Sequence, residues 1–154
     1  TENVPGAVGF ARAVELAKEE HIKHMTELRN YIIKTILDEI PYSRLNGPNI
    51  DTQGDKRLCN NVNMAFNYIE GESILLRLND VGIAVSTGSA CASKSLDASH
   101  VLQAIGLTYE EGLHGTIRVS LGRENTFDEA NYFINELKPI IELLRKMSPL
   151  SPNK

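Results

Sequence analysis

Apolar positions recur at helical spacing through the first quarter of the chain: Val8, Ala11 and Leu16, then Ile22, Met25, Leu28, Ile32, Ile36 and Ile40. An apolar residue every third or fourth position lines one face of an α-helix. Glu15, Lys18, Glu19, Glu20, Lys23, Glu27 and Arg29 supply the wet face. The pattern predicts one long helix, with Asn3 as its cap and Pro5 in its first turn, where a missing N–H costs nothing. It ends at Ile40, because Pro41 disfavours helical geometry in the residue before it. Tyr42 to Asn46 reads as a short strand, and Gly47-Pro48-Asn49 with Gly54-Asp55 marks a surface loop. From Asn61 the period changes to two. Val62, Met64, Phe66 and Tyr68 fall on one side and Asn61, Asn63, Ala65 and Asn67 on the other, as in a half-buried strand.

A second helix follows from Glu70, carrying Ile74, Leu75, Leu78 and Val81, and stops at Gly82, which suits a left-handed cap. Gly82-Ile83-Ala84-Val85 reads as a short buried strand. Asp97 and Ser99 offer caps for a third helix through Val101, Leu102 and Ile105, ended by Gly106. After a polar connection, Ile117, Val119 and Leu121 alternate with Arg118 and Ser120. Thr126-Phe127-Asp128-Glu129 has the form of a capping box opening the last helix, whose stripe is Phe133, Leu137, Ile140, Ile141 and Leu144. Pro139 is expected to kink it. Residues 148–154 are Pro/Ser-rich and read as a flexible tail behind a single domain over 1–147. The order of elements predicts an α+β fold: a small, largely antiparallel sheet with helices on one face.

The length of 154 residues and an apolar fraction of 42% suit one globular domain. The net charge of −4, with acids and bases interspersed, gives no basic stripe and argues against a nucleic-acid partner. No apolar run approaches a membrane span and no signal peptide opens the chain, so no membrane association is expected. Two cysteines without CxxC spacing suggest neither a disulfide framework nor a zinc site, and point to a reducing cytoplasm. His21 and His24 lie three apart among charges with no third ligand near, as on a solvated helix face. The chain opens on Thr1 without a Met and runs at once into a helix, and so reads as part of something longer.

The chemistry concentrates in Ser86-Thr87-Gly88-Ser89-Ala90-Cys91-Ala92-Ser93, a run of small residues around one thiol. No side chain there is large enough to anchor a core, so the backbone is expected to be hydrated and the thiol reachable. From the residues alone, a polar loop that happens to hold a cysteine is an equal reading. Cys59 lacks small flanks and reads as structural. Arg118, taken by itself, reads as an exposed strand arginine.

Several motifs in order tip the balance: Thr1-Glu2-Asn3 with Pro5-Gly6, Asn60-Asn61-Val62-Asn63, Glu70-Gly71-Glu72-Ser73, Thr87-Gly88-Ser89-Ala90-Cys91, Ser99-His100-Val101-Leu102 and Ile117-Arg118-Val119-Ser120-Leu121-Gly122-Arg123. Together they span nearly the whole chain, which resembles the C-terminal (small) domain of a NifS/IscS-type cysteine desulfurase of the class V aminotransferase family. The resemblance implies the small-domain fold of PLP fold type I enzymes, pyridoxal 5'-phosphate as cofactor and L-cysteine as substrate. It implies a homodimer, and an iron–sulfur scaffold or another sulfur-acceptor protein as partner. By this resemblance Cys91 is the catalytic thiol that takes sulfur as a persulfide and releases L-alanine. Arg118 matches the arginine that binds the substrate carboxylate, a role suited to a planar guanidinium. Thr1 matches a threonine that helps hold the cofactor phosphate across the dimer interface. The lysine that holds the cofactor belongs to a large domain before Thr1 and is not matched, so the chain alone is expected to be inactive.

His114, in the connection before the arginine strand, is a candidate proton carrier. Three other readings stay open: a stand-alone sulfur-carrier or thiol module, a selenocysteine lyase fragment, and a dimerisation piece without chemistry. The longer cysteine loop suits the cysteine-using branch better than the lyase.

Overall fold

The alternation that begins at Asn61 becomes the central strand of a three-stranded antiparallel sheet. In the computed structural model, which describes residues 1–87, 99–108 and 113–150, the strands are β1 (Ser43–Leu45), β2 (Asn61–Phe66) and β3 (Thr116–Ser120), in the order β1-β2-β3. The helices are α1 (Val4–Leu16), α2 (Glu19–Glu39), α3 (Ile50–Gln53), α4 (Gly71–Asp80), α5 (His100–Ala104) and α6 (Phe127–Met147). Leu28, Ile32 and Ile36 of α2, Ile74 and Leu78 of α4, and Phe133, Leu137 and Ile141 of α6 pack onto Val62, Met64, Phe66 and Ile117 of the sheet. Fully burying side chains of this size stabilises the fold by about 1.5–3 kcal/mol each. The long helices therefore cover one face, as the apolar stripes predict. The five-residue α5 is the exception: Leu102, with Leu107 and Leu113, rests on Ala65, which points to the opposite face of β2.

Four expectations are corrected. The first helix is two helices, separated at Ala17 (φ −72°, ψ 122°) and Lys18 (φ −128°, ψ 151°), both extended. Only the second half of the stripe meets the sheet, and no residue of α1 is buried. The stretch 47–55 is more than a loop, since it holds α3 and enters the 3-10 turn Gly54–Lys56. Residues 82–85 form no strand. Gly82 turns at φ +80°, and the segment meets the sheet at Ser86 alone, through one bridge to Arg118. Tyr68 lies beyond β2 with φ 71°, as Tyr42 does before β1 with φ 55°. These two left-handed tyrosines meet edge to face, and the Arg145 guanidinium lies 5.7 Å from the Tyr42 ring while donating to the carbonyls of Tyr42 and Asn67.

The capping box forms as its sequence predicts. Thr126 Oγ1 accepts from Glu129 N at 3.2 Å and Glu129 Oε2 accepts from Thr126 N at 2.9 Å. The helix it opens runs on through Pro139 as a single element. Gly71 and Gly115 mark where the β3 entrance crosses other backbone. A Cβ on Gly71 would stand 2.5 Å from the Thr116 carbonyl oxygen, and one on Gly115 would collide with the Phe66 carbonyl oxygen.

Candidate functional site

The sheet register places Arg118 opposite Asn63. Phe66 N donates to Gly115 O and Leu121 N to Asn60 O, so the even-numbered residues of β2 hold the hydrogen bonds to β3. Asn63 and Arg118 thus form a non-hydrogen-bonded pair, the arrangement in which facing Cβ atoms come within about 4.5–5.5 Å. The backbone of Arg118 turns the other way: its N–H donates to Ser86 O at 2.6 Å and its carbonyl accepts from Ser86 N at 3.0 Å. On the far side of β2, Asn46 N donates to Asn63 O at 3.0 Å. Residues facing one another across a pleated sheet project to the same face. Asn46, Asn63, Arg118 and Ser86 therefore stand in one row, on the face away from Met64 and Ile117.

Exposure along the row is greatest at Arg118. Asn46 is buried, Asn63 and Ser86 are half-buried, and Arg118 is exposed. Asn46 Nδ2 donates to Asn63 Oδ1 at 2.7 Å and to Thr116 Oγ1 at 3.4 Å. Its Oδ1 is buried with no donor among the described residues. An unpaired buried acceptor costs about 1–3 kcal/mol, so it needs a reason for being there.

Behind Asn46 stands a second arrangement. Arg29 of α2, only 2% exposed, donates from Nη1 to Arg57 O at 3.1 Å and Leu58 O at 2.9 Å. Arg57 in turn donates to Pro48 O at 3.1 Å through Nε and to the Asn46 carbonyl. Burial lowers the pKa of both guanidiniums, and for Arg57 the neighbouring Arg29 charge adds to it. Their donors are spent on carbonyls, so the pair fastens the loop that carries Asn46. Cys59 is a half-buried free thiol beside them, in a cavity of about 500 Å³.

Of the residues singled out by sequence, Arg118 lies on the polar row. Cys91 falls outside the described residues. Ser86, which bridges to Arg118, is five positions before it along the chain. His114 lies elsewhere: it is half-buried, its Nδ1 is 3.9 Å from Glu70 Oε2, and its carbonyl accepts from Gly71 N at 2.8 Å. It lines a cavity of about 390 Å³ with Tyr68, Ser73, Leu144 and Met147, which Arg118 does not touch. Thr1 is exposed ahead of α1. Sequence reading placed Asn63 on the outward side of its strand without a role, and passed over Asn46. Their position against Arg118 follows only when the strands are paired.

The long helices α2, α4 and α6 thus cover one face of the sheet, and Arg118 stands on the other. Residues 1–133 match the aminotransferase class-V family, and the chain belongs to it. It is 48% identical over 157 residues to the cysteine desulfurase IscS of Methanosarcina thermophila, covering 100% of this chain and 37% of that protein. Cysteine desulfurase IscS 1 of Archaeoglobus fulgidus is 50% identical over 153 residues, which is 97% of this chain and 38% of that one. A solved structure titled NIFS-like protein superposes with a TM-score of 0.75 and 33% identity over 94% of this chain and 35% of its own. A NifS-like protein from Rickettsia africae shares the fold, with a TM-score of 0.62 at 24% identity, covering 80% of this chain and 29% of that one. The chain thus spans a little over a third of the curated relatives it matches.

Members of this family are in general PLP-dependent. The described residues do not make a cofactor site by themselves. Neither cavity is lined by Arg118, and its row offers amides, a hydroxyl and one guanidinium, a donor set suited to a carboxylate rather than to an aromatic ring with a phosphate.

Proposed function

We propose that the chain is the C-terminal portion of a PLP-dependent cysteine desulfurase, with Cys91 as the sulfur acceptor and Arg118 as the grip on the α-carboxylate of L-cysteine. The observation that carries this reading is the paired backbone hydrogen bond between Ser86 and Arg118, which ties the approach to the cysteine segment to the arginine strand. The similarity to cysteine desulfurases along the whole chain supports it. In the proposed step the Cys91 thiolate attacks the sulfur of L-cysteine and the substrate carbon–sulfur bond breaks. The electron pair passes to the amino-acid carbon, which takes up a proton and leaves as L-alanine. The sulfur remains on Cys91 as a persulfide, for transfer to an acceptor protein such as an iron–sulfur scaffold. Pyridoxal 5'-phosphate, held by the rest of the full-length polypeptide, would supply the electron sink for such chemistry, and the 154-residue chain alone is therefore expected to be inactive.

The test is L-alanine formation and persulfide trapping in the full-length protein supplied with L-cysteine and pyridoxal 5'-phosphate. Cys91→Ser is expected to abolish both, and Cys59→Ser to leave both in place. Undiminished alanine release by Cys91→Ser overturns the assignment, as does turnover of L-selenocysteine with none of L-cysteine. Turnover by the isolated chain overturns the claim that it is inactive.

A further inference from the structure

Resting on the reading of Arg118 as the carboxylate grip, we propose that Asn63 is a second substrate-binding residue, donating its Nδ2–H to the same α-carboxylate, with Asn46 as the positioning residue that holds the carboxamide in its donating orientation. Nothing in the sequence motifs assigns either asparagine this role.

The geometry carries it in three steps. First, Asn63 and Arg118 are directly opposed in a non-hydrogen-bonded pair, so their side chains leave the sheet side by side. A carboxylate has two oxygens with several acceptor positions between them. One held by the Arg118 guanidinium on this face presents remaining acceptor positions to the neighbouring side chain. Second, the two ends of the Asn63 carboxamide are not equivalent. Oδ1 is taken by Asn46 Nδ2 at 2.7 Å, which commits that end to the sheet interior and directs Nδ2, with its two N–H groups, away from Asn46. Third, Asn46 is held in place. It is buried, its backbone N–H donates to Asn63 O, and its carbonyl accepts from Arg57.

The unpaired buried Oδ1 of Asn46 is accounted for by the same arrangement. Donating from Nδ2 to both Asn63 and Thr116 leaves the oxygen facing the interior. An apolar side chain at position 46 would remove that unpaired acceptor, but it would also release Asn63 to rotate. The amide is kept because it orients its neighbour, at a cost to local stability.

The experiment uses steady-state kinetics of the full-length protein. Asn63→Asp preserves shape and the acceptor for Asn46, removes the N–H donor and adds a charge that repels a carboxylate. Asn63→Ala removes the contact outright. Both are expected to raise KM for L-cysteine, by roughly tenfold for Asn63→Ala and more for Asn63→Asp, the size of one hydrogen bond to a charged group. kcat should stay within about twofold, and kcat/KM for L-cysteinamide, which has no carboxylate, should not change. Asn46→Ala should raise KM in the same direction by a smaller factor.

An unchanged KM in Asn63→Asp overturns the proposal, and so does an equal loss on L-cysteine and L-cysteinamide or a fall in kcat with KM intact. Arg118→Ala separates this from failure of the underlying reading. If Arg118→Ala raises KM and the Asn63 variants do not, Asn63 alone is wrong. If Arg118→Ala also leaves KM unchanged, the carboxylate does not sit on this face and both ideas fall. Thermal melts of Asn63→Asp, expected to match the parent within a few degrees, confirm that the comparison is between folded proteins.

Discussion

Arg118 and Ser86 exchange two backbone hydrogen bonds, at 2.6 and 3.0 Å, and this is the one point at which the segment following α4 joins the sheet among the described residues. β3 therefore has two neighbours of different kinds. On one side it makes a five-residue register with β2, and on the other it makes a single bridge. The side chain presented between them belongs to Arg118, and it is exposed. An exposed guanidinium contributes little to the fold and is free to bind.

Substitution of Arg118 should accordingly separate function from stability. Arg118→Ala in the full-length protein is expected to raise KM for L-cysteine roughly a hundredfold, the loss of a bidentate charge-assisted contact. Its melting temperature should stay within about 2 °C of the parent, because exposed side chains rarely matter by more than about 0.5 kcal/mol. Arg118→Lys, which keeps the charge without the fork, should fall between the two. Calorimetry beside steady-state kinetics checks both halves.

Gly115 should tolerate no side chain. Its Cβ would run into the Phe66 carbonyl oxygen and stand 2.7 Å from that of Ile69. Those oxygens belong to backbone and cannot swing aside, so Gly115→Ala is expected to destabilise the domain by about 3 kcal/mol or more, at the upper end for overpacking. A urea titration that finds the midpoint unmoved would refute this crossing.

The buried Arg29 holds two carbonyls of the loop after the 3-10 turn. Arg29→Ala takes the donor from the Arg57 carbonyl and leaves the Leu58 carbonyl with the Asn61 N–H alone. With the loss of a buried side chain it is expected to cost about 2–4 kcal/mol. Arg29→Lys, a single ammonium in place of the fork, should recover only part. Because Arg57 links this loop to Asn46, Arg29→Ala should also loosen the carboxamide row. Amide hydrogen exchange at Asn46 and Asn63 should quicken along with the fall in melting temperature.

Glu129 carries a pH dependence of predictable sign. The Thr126 backbone N–H, then the Asn125 side chain, hold its carboxyl below the ordinary value of 4.5. A depressed folded-state pKa means that the contribution of the cap is fully present above the ordinary carboxylate range and is lost as pH falls through the depressed value. Melts between pH 7 and pH 3 should show the parent losing its advantage over Glu129→Ala with acid. Glu129→Gln should keep a pH-independent share of it, because an amide can still accept. Thr126→Ala should cost about 1 kcal/mol at pH 7.

How far the chain could be read in advance varied with the range of the interaction. The alternations at Asn61–Phe66 and Thr116–Ser120 gave both strands, and the Thr126 box gave the start of α6, because these depend on neighbours within a few residues. The break at Ala17 and Lys18 was hidden. Neither residue is a glycine or a proline, and Val8, Ala11 and Leu16 continue the spacing that Ile22 takes up. Nothing local reports that one stretch has a sheet to pack on and the other does not. The row from Asn46 to Ser86 was invisible for a different reason, since its members are 17, 55 and 32 positions apart along the path across the sheet (63−46, 118−63 and 118−86). Sequence could place Arg118 and Asn63 on the polar sides of their strands, but only pairing makes them neighbours. Family resemblance pointed to Arg118, Cys91 and Thr1 by motif; one of its motifs, Asn60-Asn61-Val62-Asn63, contains Asn63 but gave neither Asn63 nor Asn46 a role.

The solvent-facing α1 has a consequence for the isolated chain. A 13-residue helix with Val4, Val8, Phe10 and Val14 in water is about as short as a free peptide helix can be and still persist. On warming it should therefore unwind gradually, ahead of and uncoupled from the sheet with its three packed helices. Far-ultraviolet dichroism would then slope well before the cooperative transition seen by tyrosine fluorescence. A preparation of these 154 residues should also bind hydrophobic resins through the same greasy rod, and release from them when that rod finds a cover.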